Sequence, residues 1–310
     1  MLGTLMAMSS SSWLLIWMGL EINLMSMITL LTKSKLKSES PMKYFMTQTL
    51  ASSTLMLGFI LLLSNHQWLL FYMSHTIILL SLAMKMASAP LHFWLPSTMD
   101  STSWYNCLIL VTWQKIAPLI IMMNFISNMI MILIISSAII GPMGGYNQLS
   151  TKKIMAYSSI GHLAWMMSAM MLNNSTMINY LIIYMTTSST FILFLLINNI
   201  NHTSSLMNIN KPNMMNTLVF LNLLSMGGMP PLLGFMPKWY VIKLLMSKMM
   251  MPLSLMLILS SLFTLFYYMR MSYFSFMMSS NTQQNIKMKM NTLMMFILSP
   301  SIMMFPLILF

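Results

Sequence analysis

Charge is what this sequence has least of. Only 6% of its 310 residues are charged, with 15 Lys and Arg against 3 Asp and Glu, whereas soluble globular domains carry about 25%. The net charge of +12 is too thinly spread to coat a phosphate backbone, so nucleic acid is not expected as a partner. The single cysteine, Cys107, excludes a disulfide framework and a thiolate metal cluster.

Apolar residues dominate the sequence. They make up 58% of the chain and include 46 methionines, whose flexible side chains suit lipid-facing helices. Uncharged runs of about 20 residues are long enough to cross a bilayer, and bilayer interiors favour helices because every backbone N–H must be paired. The sequence therefore predicts an all-α polytopic transmembrane bundle, a single domain over 1–310. The predicted spans are 12–32, 44–63, 68–88, 104–123, 129–145, 154–172, 177–200, 213–248 (interrupted), 252–278 and 290–310, with a partial helix in 1–10.

Lysines are distributed unevenly between the two sides of these spans. If the chain crosses ten times, one side receives the loops 33–43, 146–153, 201–212 and 279–289, and the other side holds only Lys243 and Lys248. The positive-inside rule places the lysine-rich side in the cytoplasm or matrix, and the C-terminus on the opposite face. The lysines of the rich side are Lys33, Lys35, Lys37, Lys43, Lys152, Lys153, Lys211, Lys287 and Lys289.

Five charges are left at or near membrane depth. They are Glu21, Lys85, Lys115, Lys238 and Arg270. Each intramembrane charge costs about 2.5–3.5 kcal/mol on insertion scales, so it needs a partner, water or a function. Glu21 with a lysine would form either a structural ion pair or a proton relay. We favour the relay, because an apolar pair would pack as well as a fixed ion pair.

Two of the lysines have a structural alternative. Lys85 ends an apolar run. Lys115 precedes Pro118, whose missing N–H frees a carbonyl that could solvate an ammonium; otherwise Lys115 would snorkel to the surface. Lys238 follows a Gly- and Pro-rich interruption, which is either a broken helix of the kind that forms transporter ion sites or an ordinary loop. We favour the broken helix.

A short pattern occurs twice. PLHFWLP (90–96) and PLLGFMP (231–237) both fit P-L-x-x-aromatic-[LM]-P, and each adjoins one of these lysines. The copies lie five spans apart and so run in opposite directions, as in transporters built from inverted repeats with interrupted helices. We expect repeat halves of roughly 12–123 and 129–278. Both lysines should then lie within about two turns, roughly 11 Å, of a helix interruption.

Two histidines are further candidates. His92 follows the first predicted break and is interpreted either as a proton relay or as a hydrogen-bonded core histidine. His162 is central in its span, without a clear partner. Haem is not expected, because it needs axial histidine pairs within the membrane. No metal site is expected, and tyrosine and tryptophan are assigned to packing and to interfacial anchoring.

The ordered motifs resemble a known family. WMGLEINL, YFMTQTLAS, KMASAPLHFWLP, TWQKIAPL, KKIMAYSSIGHLAWMM, LSMGGMPPLLGFMPKW and FYYMRMSY are similar to the NADH–ubiquinone oxidoreductase chain 2 family of animal mitochondria, the antiporter-like membrane subunits of respiratory complex I. The resemblance implies two inverted five-helix repeats with two broken helices. It also implies that Glu21, Lys85, Lys115 and Lys238 belong to a hydrated axis that moves protons.

The resemblance further implies a place in a larger assembly. The chain is expected to be a core subunit of a proton-pumping NADH:ubiquinone reductase in the mitochondrial inner membrane, among neighbouring antiporter-like subunits and lipid. It is expected to perform no redox chemistry itself and to bind no cofactor, with flavin, iron–sulfur clusters and ubiquinone in other subunits. A free-standing cation/proton antiporter and a purely structural scaffold are the alternatives.

Overall fold

The computed structural model describes residues 1–33, 39–63, 68–206 and 213–277. Their regular structure is helical apart from an isolated bridge between Ser150 and His202. The chain forms two compact units, Met1–Ser137 and Ala138–Phe310. The helices are α1 Leu2–Ser9, α2 Trp13–Lys33, α3 Glu39–Leu63, α4 Trp68–Met86, α5 Trp94–Ser101, α6 Trp104–Val111, α7 Trp113–Met122, α8 Met129–Tyr146, α9 Thr151–Leu172, α10 Asn174–Ile197, α11 Asn213–Gly227, α12 Phe235–Ser247 and α13 Met251–Met277.

Six spans of the described residues are long and apolar enough to cross a membrane. They are α2, α3, α6 and α7 together, α8, α10 and most of α13. Helix α9 is also long, yet less apolar, because nearly every one of its residues is buried in the protein and few meet lipid. The predicted partial helix at the N-terminus is α1, and the predicted span 290–310 lies outside the described residues.

The first unit is built around the pair α3 and α4. Helix α2 packs on α3, α7 packs on α4, and α1 contacts both α2 and α7. Helices α1 and α2 touch through their backbones, because a Cβ added at Gly3 would lie 2.6 Å from the carbonyl oxygen of Gly19, and one at Gly19 would lie 2.7 Å from that of Gly3. Glycine at these two positions therefore fixes the short N-terminal helix on the unit.

In the second unit, α9 and α10 form the centre. Helix α11 packs between α10 and α13, while α12 contacts α9, α10 and α13. Helix α8 approaches α9 closely at Gly141, where an added Cβ would lie 2.7 Å from the backbone nitrogen of Gly161. Each unit thus encloses one of the two interrupted helices that the sequence predicts.

The two interruptions have the same construction. The first helix ends four residues before the first proline of the repeated pattern, at Met86 or Gly227, and the next helix begins at the aromatic residue of the pattern, Trp94 or Phe235. Each connection, 87–93 and 228–234, has seven residues. The repeated sequence pattern is therefore also a repeat of helix boundaries and of connection length.

Both first helices end in a left-handed residue, Ala87 with φ 61° and Gly228 with φ 84°. The next N–H reaches back five residues, from Ser88 to Ala83 at 3.0 Å and from Met229 to Leu224 at 3.2 Å. These bonds form a Schellman motif, which satisfies carbonyls at a helix end. Alanine in this conformation costs about 1–2 kcal/mol, which the first unit tolerates at a fully buried position.

Three boundaries differ from the sequence prediction. Residues 94–101 form the short helix α5, which lies between the predicted spans 68–88 and 104–123; Pro96 lies in its first turn, where proline is tolerated. The predicted span 104–123 is interrupted at Thr112, between α6 and α7. Lys152 and Lys153, assigned to a loop, lie in the first turn of α9, and Lys152 is buried, with an aliphatic stem that can pack against apolar neighbours.

Helix α12 begins directly against the end of α11. A Cβ added at Gly234 would overlap the carbonyl oxygen of Ser225, so Gly234→Ala should lower the free energy of unfolding by at least about 1–3 kcal/mol, as overpacking does. Thermal unfolding of the detergent-solubilised protein measures this. The control is Gly161→Ala, where the new Cβ would meet atoms at ordinary distances of 3.8 and 4.0 Å. Equal melting temperatures for the two variants would contradict the prediction.

Candidate functional site

Lys85 lies in the last turn of α4 and is 7% exposed. A cation at the carbonyl end of a helix is favoured by the helix dipole. The carbonyls released there are bound by side chains of the same unit: Trp94 Nε1 donates to Met84 at 3.1 Å, Gln48 donates to Lys85 at 3.4 Å and the Ser136 hydroxyl donates to Ala89 at 2.7 Å. Side-chain donors therefore stabilise the backbone carbonyls of the first interruption.

A small polar cavity adjoins Lys85. Its lining includes Lys85, Tyr44, Gln48, Asn23 and Gln114, and it has space for about one water molecule. A site with several polar partners can hold such a water. The predicted hydration of the first interruption thus has a defined location, between α2, α3, α4 and α7.

Glu21 lies near the middle of α2. Its Oε1 is buried and has no hydrogen-bond partner among the described residues. Glu39 forms an exposed ion pair with Lys43, whose Nζ lies 3.0 Å from the Oε2 of Glu39. Glu21, Lys85 and Tyr44 belong to the same unit of the chain. The coupling of Glu21 to Lys85 and the water bridge between them stay predictions.

Lys115 lies in the second half of the interrupted span, on α7, and is 3% exposed. Pro118 follows within the same helix and cannot donate to the carbonyl of Gln114. Helix α7 packs against α4, which carries Lys85, and against α1. Lys115 is therefore buried within the protein, in the same unit as Glu21, Lys85 and His92.

Lys238 occupies the first turn of α12, is 5% exposed and reaches back to the preceding helix. Its Nζ donates to the carbonyl oxygen of Gly227, the last residue of α11, at 2.9 Å. It also lies 5.9 Å from the centroid of the Trp165 ring on α9. A backbone carbonyl and an aromatic face thus stabilise this ammonium, as expected for a lysine at a helix interruption.

His92 belongs to the first connection and is 3% exposed. Its Nδ1 lies 3.1 Å from the carbonyl oxygen of Pro90. A carbonyl only accepts, so this contact requires a proton on Nδ1. The ring therefore has a defined tautomer, and Nε2 is the nitrogen that can exchange a proton. The relay and the core interpretations of His92 both remain compatible with this geometry.

His162 has a partner that the sequence did not reveal. Its Nδ1 lies 3.0 Å from the hydroxyl of Tyr180, and its ring centroid lies 4.9 Å from that of Tyr184. Tyr267 and Tyr268 on α13 are fully buried in the same unit, with ring centroids 4.7 Å apart. The assignment of tyrosine to packing and interfacial anchoring missed this cluster, although the i, i+4 spacing of Tyr180 and Tyr184 places them on one helix face.

Removing the charge of Glu21 tests its coupling to Lys85. Glu21→Gln keeps the shape of the side chain, and we expect proton translocation to fall by about tenfold or more, as when a positioned proton-transfer group is lost. Proton uptake by membrane vesicles that carry the variant measures the effect. Glu39→Gln is the control, because Glu39 is exposed and its pair with Lys43 contributes little. Equal translocation by both variants would contradict a role for Glu21.

Known proteins match most of the length of this chain. The family described as "NADH:quinone oxidoreductase/Mrp antiporter, TM" matches residues 10–264. NADH-ubiquinone oxidoreductase chain 2 of Anopheles gambiae is 46% identical over 299 residues, which cover 93% of this chain and 86% of the relative. The chain 2 of Locusta migratoria is 40% identical and covers 94% and 88%.

Solved structures show the same fold. A chain of respiratory complex I from Thermus thermophilus with bound aureothin superposes with a TM-score of 0.83 at 22% identity, over 89% of this chain and 68% of that one. A chain of the Mrp complex from Dietzia superposes with a TM-score of 0.78 at 15% identity, over 87% and 57%. The predicted antiporter-like helical fold is confirmed, and the chain belongs to the NADH–ubiquinone oxidoreductase chain 2 family of antiporter-like membrane subunits.

Proposed function

We propose that this chain moves protons across the membrane through Glu21, Lys85, Lys115 and Lys238 as a subunit of NADH:ubiquinone oxidoreductase. The chain is an integral membrane protein whose relatives are named as chains of that enzyme. Its partners are the other membrane subunits of the complex. The proposal about individual residues is supported by the burial of Lys85, Lys115 and Lys238 and of the Oε1 atom of Glu21, and by the places of these residues in the two units.

One observation carries the proposal: a buried lysine lies at the carbonyl end of each interrupted helix. Desolvation disfavours the charged form of a buried ammonium. An adjacent carboxylate would hold such a lysine in its charged form, but Lys238 is bonded to a backbone carbonyl and Lys85 borders a water-sized cavity. A neutral amine can still donate to that carbonyl, so a proton can leave without losing the contact.

The first unit contains the elements of a relay. Water in the cavity would exchange a proton with Lys85, while the charge of Glu21 favours the ammonium form of Lys85 when the carboxylate is ionised. Protonation of Glu21 would remove that attraction and promote release toward Lys115. In the second unit, Lys238 and the His162–tyrosine cluster are the groups that can receive and pass on a proton.

We propose that electron transfer takes place outside this chain, with flavin, iron–sulfur clusters and ubiquinone in other subunits. The composition of the chain supports this, because one cysteine cannot ligate an iron–sulfur cluster. We also propose the mitochondrial inner membrane as the location, with the lysine-rich loops in the matrix and the C-terminus toward the intermembrane space. The asymmetry of lysines between the loops supports this orientation.

A free-standing cation/proton antiporter is the second candidate, and the similarity to the Mrp chain favours it. That similarity has 15% identity and shows the fold alone, whereas the chain 2 relatives reach 46%. Affinity purification of the chain from native membranes separates the two functions. Recovery of NADH-oxidising activity with the chain supports the subunit, and cation-dependent proton exchange without that activity supports the antiporter.

Neutralisation of Lys115 tests the proton pathway. Lys115→Met keeps an apolar stem of similar length, so the complex should assemble while its proton-coupled turnover falls by about tenfold or more. The measurement is proton uptake per NADH oxidised in vesicles, together with NADH oxidation by an artificial acceptor, which should be unchanged.

The matched control is Lys33→Met, because Lys33 is exposed at the end of α2. It should assemble and pump like the unmodified chain. If Lys115→Met shows normal turnover and normal proton yield, Lys115 is not part of the pathway.

A further inference from the structure

Two neutral amides join the helices that carry Glu21 and Lys115. Asn23 Nδ2 donates to Gln114 Oε1 at 3.0 Å, and Gln114 Nε2 donates to Asn23 Oδ1 at 3.2 Å. The contact is reciprocal: each amide donates one N–H to the other amide and accepts one hydrogen bond from it through its carbonyl oxygen. Asn23 is 7% exposed and Gln114 is half-buried, so the pair is partly shielded from solvent.

The position of this amide pair is specific. Asn23 follows Glu21 by two residues, and Gln114 directly precedes Lys115. Both amides line the cavity next to Lys85, whereas neither Glu21 nor Lys115 does so in the part of the chain that the structure describes. Successive residues of a helix point about 100° apart. Glu21 and Lys115 therefore lie on other faces of α2 and α7 than the amides that line the cavity.

The chemistry of amides decides what such a wall can do. An amide does not titrate in the physiological range, but it can donate to and accept from water on both edges. While Asn23 and Gln114 bond to each other, the facing edges are occupied and water in the cavity cannot continue through them. If Gln114 rotates away, its amide can bind a water on either side.

We propose that the Asn23–Gln114 amide pair is a polar latch that controls the water connection between Lys85 and Lys115. Closed, it separates the Lys85 cavity from Lys115; open, it takes part in the water chain that joins them. The two amides are positioning residues, since they act through water and the lysines. This inference rests on the proposed proton pathway.

A structural role makes a different prediction. Polar pairs between membrane helices contribute little to stability on average, and replacing both partners by apolar groups of the same shape can be nearly neutral. The double variant Asn23→Leu with Gln114→Met should therefore behave normally if the pair only holds α2 against α7. A latch that must also bind water should fail in that variant.

The test compares three forms of the whole complex in proteoliposomes. Asn23→Leu with Gln114→Met should assemble and oxidise NADH with an artificial acceptor, but its proton yield should fall by about tenfold or more and its solvent deuterium isotope effect should change. The exchanged pair Asn23→Gln with Gln114→Asn keeps reciprocal amides and should restore both. A normal proton yield and isotope effect in the apolar variant would overturn the latch.

A further variant covers a failure of the apolar pair to assemble. Gln114→Glu has the same shape, yet it can only accept when ionised and adds a titrating group to the wall. The latch predicts a changed pH profile of coupled turnover, and an unchanged profile would overturn it. Lys115→Met separates the two hypotheses: if it abolishes pumping while the apolar pair pumps normally, only the latch is wrong, and if it pumps normally the proposed pathway itself fails.

Discussion

Satisfaction of backbone groups at an interrupted helix is the constraint on which this structure depends. An uninterrupted helix pairs its own carbonyls, but a break inside a membrane protein exposes several that lipid cannot bond. In the first unit they are bound by Gln48, Trp94 and Ser136 from three other helices. In the second, Lys238 from the following helix binds one directly. The surrounding helices thus supply the hydrogen-bond donors for carbonyl groups at the two interruptions.

The same constraint explains why the lysines are where they are. Lys85 precedes its interruption and Lys238 follows its own, so the two are not equivalent in sequence, although both lie at the carbonyl end of the first half-helix. What the two units share is the backbone: a left-handed residue, a seven-residue connection and an aromatic residue at which the helix resumes. The lysine comes from the first half-helix in one unit and from the second half-helix in the other, but in both units it lies at the carbonyl end of the first half-helix.

The sequence predicts the apolar spans and the two breaks, because uncharged runs and clustered Gly and Pro are local signals. It also predicts that Lys85, Lys115 and Lys238 are buried, since they lie in apolar segments, but it assigns Lys152 to a loop although that lysine is buried. It does not predict contacts between distant helices. Asn23 and Gln114 lie 91 positions apart, and Tyr180 meets His162 across two helices. The local sequence around these residues does not indicate their partners, because the partners depend on how the helices pack.

The hydrogen bond between Lys238 and Gly227 links the protonation of Lys238 to the position of α11 relative to α12. The ammonium holds the end of α11 more strongly than the neutral amine would, since charge-assisted hydrogen bonds are the stronger kind. Thermodynamic linkage then works in both directions: a displacement of α11 relative to α12 changes the affinity of Lys238 for its proton, and loss of the proton loosens the junction by the same free energy. A mechanical displacement that reaches this helix end would be converted into proton release at that lysine.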